Sequence, residues 1–215
     1  MLEKLPEAIG HALEHRRAGI EKILFNADLP GANLHLIEVT SPAFAPESQL
    51  PQRYTADGAG MSPPLRWRNL PANTATLALI VEDADSPTPE PLVHGIVVDI
   101  DPLEVGLVEG IFNGPPYASP EKLGLNSFLM HGWLAPDPPP GHGVHRYAFQ
   151  VFALAAGEGL SKAPGRSEVS KAIRERALGK GCLIATYQRE IPVRSIARAE
   201  NTSVDVAPET SAETA

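Results

Sequence analysis

Apolar residues recur along the chain in short runs that are separated by clusters of proline and glycine. The runs are rich in valine, isoleucine, leucine and aromatic residues, a composition that favours β-strands. No long helical pattern separates the first four runs, so the sequence predicts a mostly antiparallel sandwich and not parallel βαβ units. The five predicted strands are residues 34–39, 75–82, 93–100, 145–154 and 182–187.

Helical spacing is found near both ends of this strand-rich region. At the start, Pro6 could open a helix whose patchy apolar face runs from Ile9 to Leu24. Near the end, Ser167 could cap a second helix, which Gly179 would stop. The basic residues of the first segment, which we interpret as a solvated face, are His11, His15, Arg16, Arg17 and Lys22.

These patterns divide the chain into three zones. Residues 1–33 are expected to form an N-terminal helical extension and residues 34–192 the domain itself. Residues 193–215 are acidic, lack aromatic residues and are expected to form a disordered tail. The N-terminal helix could pack across a homodimer.

Composition and charge exclude several classes of function. The 215 residues include 18 lysines and arginines and 26 acidic residues, a net charge of −8, which argues against binding to nucleic acid or to anionic membranes. The single cysteine, Cys182, cannot form an intramolecular disulfide and fits a reducing compartment. No apolar stretch is long enough for a membrane span, and no targeting segment is visible, so a cytoplasmic location is expected.

Three polar clusters are candidates for the functional site. In the first, an apolar strand runs into an acidic loop that contains Asp83 and Asp85 and ends at Pro87. In an extended backbone, residues two apart point to the same side, so the two aspartates can face one cavity. Two such carboxylates resist ionising together. Taken alone, the loop favours a simpler interpretation, a turn in which each aspartate bonds local amides.

The other two clusters contain histidines. His94 lies in a predicted apolar strand, where a histidine is most often a satisfied core residue, but Gly95 beside it can mark the close approach of a ligand or backbone. A proline-rich and glycine-rich loop contains His142 and leads into His145 and Tyr147. The composition of this loop disfavours the helix that would bring a His-x-x-His pair onto one metal, although a loop could still do so. A polar cluster is therefore preferred to a metal site.

Together these segments resemble the phosphatidylethanolamine-binding protein family, in particular its bacterial branch of Raf-kinase-inhibitor-like proteins. The resemblance covers about residues 36–190 and depends on an ordered set of motifs. The motifs are Ser41-Pro-Ala-Phe44, the segment from Tyr54 to Trp67, Asp83-Ala-Asp-Ser-Pro87, His94, Gly124-Leu-Asn-Ser-Phe128 and Pro138-Pro-Pro-Gly-His-Gly-Val-His-Arg-Tyr147.

The resemblance implies a mainly β fold, an antiparallel, Greek-key-like β-sandwich with peripheral α-helices and one small anion-binding pocket at its edge. No cofactor and no metal are expected. Arg146 is expected to point away from the pocket toward a structural ion pair. The residues that the resemblance assigns to ligand binding are Asp83, Asp85, Pro87, His94, His145 and Tyr147.

Three departures from the family pattern concern the rim of this pocket. Leu92 stands where many relatives have a tryptophan, and this removes a flat wall. Ala135 and Asp137 replace residues that are commonly small or include cysteine, so Asp137 would add negative charge at the entrance.

The first functional hypothesis is a non-enzymatic binding protein for phosphate-bearing or carboxylate ligands, including phospholipid head groups such as phosphoethanolamine. In it, Asp83 and Asp85 keep His94 or His145 charged, so that the anion receives hydrogen bonds from the imidazolium and from other donors. The second hypothesis is an inhibitor or modulator of a protease or kinase, for which the sequence reveals no partner surface. The third, a hydrolase with or without a metal, has no evident activated nucleophile.

Overall fold

Eight β-strands and two α-helices are found in residues 7–28, 34–113 and 122–189, which are the residues that the computed structural model describes. The helices are α1 (Glu7–Leu13) and α2 (Arg166–Arg176). The strands are β1 (His35–Leu36), β2 (Glu38–Thr40), β3 (Leu65–Arg68), β4 (Thr76–Asp83), β5 (Leu92–Ile100), β6 (Gly106–Leu107), β7 (His145–Leu154) and β8 (Ala177–Tyr187). Short 3₁₀ turns lie at Ile20–Lys22, Leu24–Asn26, Gln52–Tyr54 and Ile111–Asn113.

The strands form two sheets, one with the order β1-β8-β7-β4-β5 and one with the order β2-β3-β6. The described strand pairs are antiparallel, except that β1 pairs with β8 in parallel. The prediction of a mainly β, mostly antiparallel fold with peripheral helices is confirmed, and the parallel edge pair departs from it. The backbone of β1 can approach β8 because Gly179 and Gly181 lie there, where a Cβ would collide with the carbonyls of His35 and Ile37.

Strand β4, which lies between β7 and β5, is buried on both faces. Leu79 and Val81 enter the main core between the two sheets, together with Trp67 of β3. Ile80 points the other way and belongs to a second apolar cluster with Val169 of α2. Because side chains alternate along a strand, the acidic residues that end β4 are also divided between these two faces.

Helix α2 lies where the sequence predicts a helix, but its two ends differ from the prediction. It begins at Arg166, and Gly165 occupies the N-cap position without a side-chain hydrogen bond, so Ser167 does not cap it. Strand β8 begins at Ala177, directly after the helix, so Gly179 does not stop the helix. The glycine allows the close approach of β1 instead.

The N-terminal segment is less helical than predicted and is bound closely to the domain. Helix α1 ends at Leu13, and the N–H groups of Ala18 and Gly19 donate to carbonyls of the loop that follows β4. Gly19 has a φ of 109°, which a helix does not allow. Ile23 and Leu24 are buried in the apolar clusters of the domain. The prediction that one helix extends through this segment is therefore wrong, because the backbone after Leu13 bonds to the domain instead.

Two further predictions concern the ends of the chain. Pro6, the proposed helix start, and the tail at 193–215 lie outside the described residues. Within the described residues, no helix combines the length and the apolar character that a membrane crossing requires.

Gly95 of β5 gives a test of the packing beside the site. A Cβ at this position would lie 2.6 Å from Cδ1 of Phe112, a fully buried ring. The close approach that the sequence suggested is therefore to an aromatic side chain. We expect Gly95→Ala to lower the free energy of unfolding by about 1–3 kcal/mol, measured by urea denaturation, because the ring must shift. The matched control is Gly159→Ala, where no heavy atom lies within 4 Å of the added methyl group. Equal stability of the two variants would contradict the close packing.

Candidate functional site

A cavity of about 250 Å³ opens where β4 ends and where β5 and β7 begin. Asp83 is the last residue of β4, His145 is the first residue of β7, and His94 lies near the start of β5, so the antiparallel pairing of these strands brings the three together. The apolar wall comes mainly from loops. The lining residues are Ala56, Asp83, Ser86, Pro87, Leu92, His94, Phe128, Met130, Leu134, Ala135, Asp137, Pro138, Pro139 and His145.

Asp83 and His145 form a buried pair at this cavity. Nδ1 of His145 lies 2.7 Å from Oδ2 of Asp83, and the two residues are only 1% and 4% exposed. The backbone N–H of Asp85 donates to the other oxygen of Asp83 at 2.8 Å. Both oxygens of the Asp83 carboxylate are therefore engaged inside the protein.

The second ring nitrogen of His145 is also engaged, and its partner is His142. Nε2 of His145 lies 2.6 Å from Nδ1 of His142. The sequence hypothesis that His145 offers an N–H to a ligand is thus wrong for this arrangement, because both of its nitrogens bond to protein groups. The His-x-x-His pair does come together in the loop, but as a hydrogen-bonded pair and not as a chelate.

His94 differs from His145 in having one unsatisfied nitrogen. Its Nδ1 donates to the carbonyl of Leu134 at 2.5 Å, whereas its Nε2 is buried without a hydrogen-bond partner. Burial lowers the pKa of His94, and the nearby Asp83 only partly opposes this. The ring is therefore neutral near pH 7, with the proton on Nδ1 and a lone pair on Nε2. A buried polar atom without a partner costs about 1–3 kcal/mol.

Tyr147 lies behind the cavity and not on its surface. The ring is fully buried and meets His94 edge-on, with ring centroids 5.1 Å apart. Its hydroxyl has no hydrogen-bond partner, and burial, together with the charge of Asp83, raises its pKa well above the ordinary value. Tyr147 is thus a neutral side chain that supports His94.

Asp85 does not share the cavity with Asp83, contrary to the prediction from residue alternation. Its carboxylate accepts hydrogen bonds from Nε, Nη2 and the backbone N–H of Arg146 at 2.7, 2.7 and 2.9 Å. Nη1 of Arg17 lies 3.1 Å from the same carboxylate. Asp85 follows the last residue of β4, so strand alternation does not apply to it. Arg146 forms the structural ion pair that the sequence predicted.

The negative charge expected from Asp137 is largely compensated. Asp137 lines the cavity, and Nη2 of Arg189 lies 2.6 Å from its Oδ1. The same arginine donates to Asp57, which also accepts a hydrogen bond from Tyr187. The described lining residues include no lysine or arginine, so the cavity is mostly apolar and is not electropositive.

The described residues offer no group of three or more histidine, cysteine, aspartate or glutamate side chains with the spacing of a metal site. Ser86, a hydroxyl at the cavity, bonds to Thr88 and to the carbonyl of Asp83 and not to a histidine. The arrangement is suited to holding a ligand by hydrogen bonds and apolar contact.

Sequence reasoning missed three groups around the cavity. His142 was considered only as a metal ligand, although its place in the loop before His145 was a usable signal. Arg17 was interpreted as solvated, but its guanidinium contacts Asp85 and two carbonyls of the proline-rich loop. Arg189 and Asp57 meet across 132 residues, and no local pattern indicates that contact.

Comparisons with known proteins place this geometry in context. A model of the family described as phosphatidylethanolamine-binding protein matches residues 40–188. A UPF0098 protein of Aquifex aeolicus is 35% identical over 170 residues, which are 78% of this chain and 98% of the relative. A UPF0098 protein of Methanothermobacter thermautotrophicus is 34% identical over 147 residues, which are 68% of this chain and 95% of the relative.

Two solved structures agree with the fold. A phosphatidylethanolamine-binding protein homolog, CT736 of Chlamydia trachomatis, has a TM-score of 0.64 and 29% identity over 73% of this chain and 99% of its own. YbcL of Escherichia coli, described as a member of the mammalian family, has a TM-score of 0.65 over 72% of this chain and 99% of its own. At 23% identity, YbcL supports the fold alone.

The ion pairs of Asp85 predict a loss of stability in acid. Burial raises the pKa of Asp85, but the hydrogen bonds and charge of Arg146, together with Arg17, outweigh it, and the pKa is lowered overall. A lowered pKa in the folded state stabilises the protein above the pKa of the unfolded chain, and this stabilisation is lost as the pH falls. We expect Asp85→Asn to lower the free energy of unfolding by about 2–3 kcal/mol at pH 7.

The measurement is urea denaturation at a series of pH values from 7 to 3. The difference between wild type and Asp85→Asn should shrink as the pH falls, because the wild-type carboxylate becomes protonated. Asp99→Asn, at an exposed aspartate, is the control and should leave the profile unchanged. A difference between wild type and Asp85→Asn that is constant across the series would refute the role assigned to the carboxylate charge.

Proposed function

Because the chain belongs to the phosphatidylethanolamine-binding protein family, as its motifs predict, we propose that it is a binding protein for one small phosphate-bearing or carboxylate ligand. The observation that carries the proposal is the unpartnered Nε2 of His94 at a cavity of about 250 Å³. A ligand that supplies a hydrogen bond to this nitrogen would remove the cost of leaving it unsatisfied.

The proposed ligand enters together with a proton. The neutral His94 ring has a lone pair on Nε2, which repels a fully ionised oxyanion. The repulsion is relieved when His94 is protonated or when the ligand carries an acidic O–H, as the phosphate monoanion does. In both cases the complex holds one more proton than the separate protein and dianion. This replaces the hypothesis that Asp83 and Asp85 keep His94 or His145 charged.

Apolar contacts support an amphiphilic ligand such as a phospholipid head group with its attached chains. Phe128 and Met130 line the cavity, yet 52% and 54% of their surfaces are exposed. They offer apolar surface to the part of a ligand that projects from the cavity. An ammonium group, as in phosphoethanolamine, would find the carboxylate of Asp137 on the same lining.

The proposed role is binding without a chemical step in a reducing compartment such as the cytoplasm. The thiol of Cys182 is free, and burial raises its pKa to about 12, so it is protonated and poorly nucleophilic. A hydroxyl activated by a histidine is not found among the described residues that line the cavity.

The proposal predicts that anion affinity rises as the pH falls. Because binding raises the lowered pKa of His94, proton uptake accompanies binding, and affinity should increase between pH 8 and pH 6. The limit for one proton is tenfold per pH unit. Calorimetric titration with inorganic phosphate, phosphoethanolamine and sulfate measures this. Sulfate carries no proton in this range, so its pH dependence isolates the protonation of His94.

His94→Phe should abolish the binding of all three anions while keeping an aromatic ring beside Tyr147. The control, His15→Gln, changes a histidine whose side chain is 93% exposed and should bind as the wild type does. Absence of binding by the wild type at pH 6, or affinity that is independent of pH, would rule out the proposed site.

A further inference from the structure

A chain of hydrogen bonds connects the cavity to the N-terminal segment through two histidines. Beyond the pair of Asp83 and His145, Nε2 of His142 lies 2.8 Å from the carbonyl of Leu13 and 3.2 Å from that of Arg16. His142 and His145 are each only 1% exposed. The positions of the protons on both rings are therefore determined by the protein groups to which the nitrogens bond, and not by water.

The partners fix where these protons lie. Carbonyl oxygens only accept hydrogen bonds, so Nε2 of His142 carries a proton. Burial lowers the pKa of His142, as does neighbouring His145, so this ring is neutral and its Nδ1 has a lone pair. Nε2 of His145 must then donate to it. The remaining proton of the chain lies between Nδ1 of His145 and Oδ2 of Asp83.

We propose that His142 is a positioning residue of the binding site, which accepts a hydrogen bond from the Nε2–H of His145 and so keeps that ring turned toward Asp83. The proposal rests on the proposed function, since it assigns His94 as the cavity histidine that changes charge when an anion binds. The pair of His145 and Asp83 has no net charge overall. The ring of His145 cannot turn toward the ligand, because both of its nitrogens bond to protein groups.

The N-terminal segment takes part in this arrangement because it supplies the two carbonyls. The segment packs closely against the proline-rich loop. At Gly10 the two backbones are so near that a Cβ would collide with the carbonyl of Pro140. Arg17 secures it by donating to the carbonyls of Val144 and His142 at 2.7 and 3.0 Å. Gly10 and Arg17 precede residues 40–188, the part of the chain that the family model matches. The segment therefore adds to the site a support that lies outside the matched domain.

The groups that face the two histidines come from every element around them. The N-terminal segment contributes the guanidinium of Arg17, whose charge also opposes protonation of His142. Strand β4 contributes Asp83, β5 contributes His94 and β7 contributes Tyr147. The ring of Tyr147 stacks on that of His145, with ring centroids 6.4 Å apart. Asp83 is the carboxylate among these that is within hydrogen-bond distance of His145.

The proposal is tested by nitrogen-15 NMR of the full-length, ligand-free protein, in which the histidines are labelled. The wild type should show His142 with Nε2 protonated and Nδ1 unprotonated, and His145 with a proton on Nε2, from pH 6 to pH 8. In His142→Leu the Nε2 signal of His145 should move away from its wild-type position, because the acceptor of its hydrogen bond has been removed. His142→Gln, which retains an acceptor and a donor, should restore part of the wild-type behaviour.

The anion titrations give the second readout. His142→Leu should change the pH dependence of sulfate affinity, whereas His142→Gln should keep the single-proton slope. The proposal would be overturned if His142 of the wild type were protonated on Nδ1, a result that requires no variant. It would also be overturned if the His145 signals were unchanged in a folded His142→Leu protein. If the NMR result holds but no anion binds, the proposed function fails, and with it the assignment of His142 to a binding site, whereas the chain of hydrogen bonds itself stands.

Discussion

Three buried carboxylates at the end of β4 must each be neutralised for this fold to exist. A carboxylate without a partner inside a protein costs several kcal/mol, so each one requires a cation or hydrogen-bond donors from elsewhere in the chain. Their partners come from three different segments, which are thereby fixed around one point. Glu82 pairs with Arg166 of α2, Asp83 with His145 of β7, and Asp85 with Arg146 of β7 and Arg17 of the N-terminal segment.

The alternation of side chains along β4 gives these carboxylates different roles. Glu82 points toward α2 and also accepts hydrogen bonds from Gln150 and from the N–H of Leu24, so it anchors the N-terminal segment on the outer face. Asp83 points into the space between the sheets and reaches the cavity. Asp85, beyond the end of the strand, holds the loop. One strand end thus anchors neighbouring segments on one face and borders the cavity on the other.

The sequence predicted the features that depend on local pattern. Apolar runs located the main strands. Of the residues that the family motifs indicated, Asp83, Pro87, His94 and His145 line the cavity, whereas Asp85 and Tyr147 do not. Contacts between distant segments were not predictable, because Arg17 and Asp85 carry no mutual signal across 68 positions. Gly179 was misinterpreted for a related reason: a glycine that ends a helix and one that admits a neighbouring strand look alike in sequence. Tertiary packing decided between them.

The balance of charge at the cavity limits what kind of recognition it can provide. With Asp83 paired to His145, Asp137 paired to Arg189, and a chain charge of −8, long-range attraction of an anion is weak. Affinity must then come from short-range hydrogen bonds and from apolar contact around them. Under the proposed function, the site would discriminate by the proton that a ligand brings as well as by its charge, because His94 is the described cavity histidine with an unsatisfied nitrogen. In the proposed function, protonation of His94 or of the ligand is therefore part of recognition.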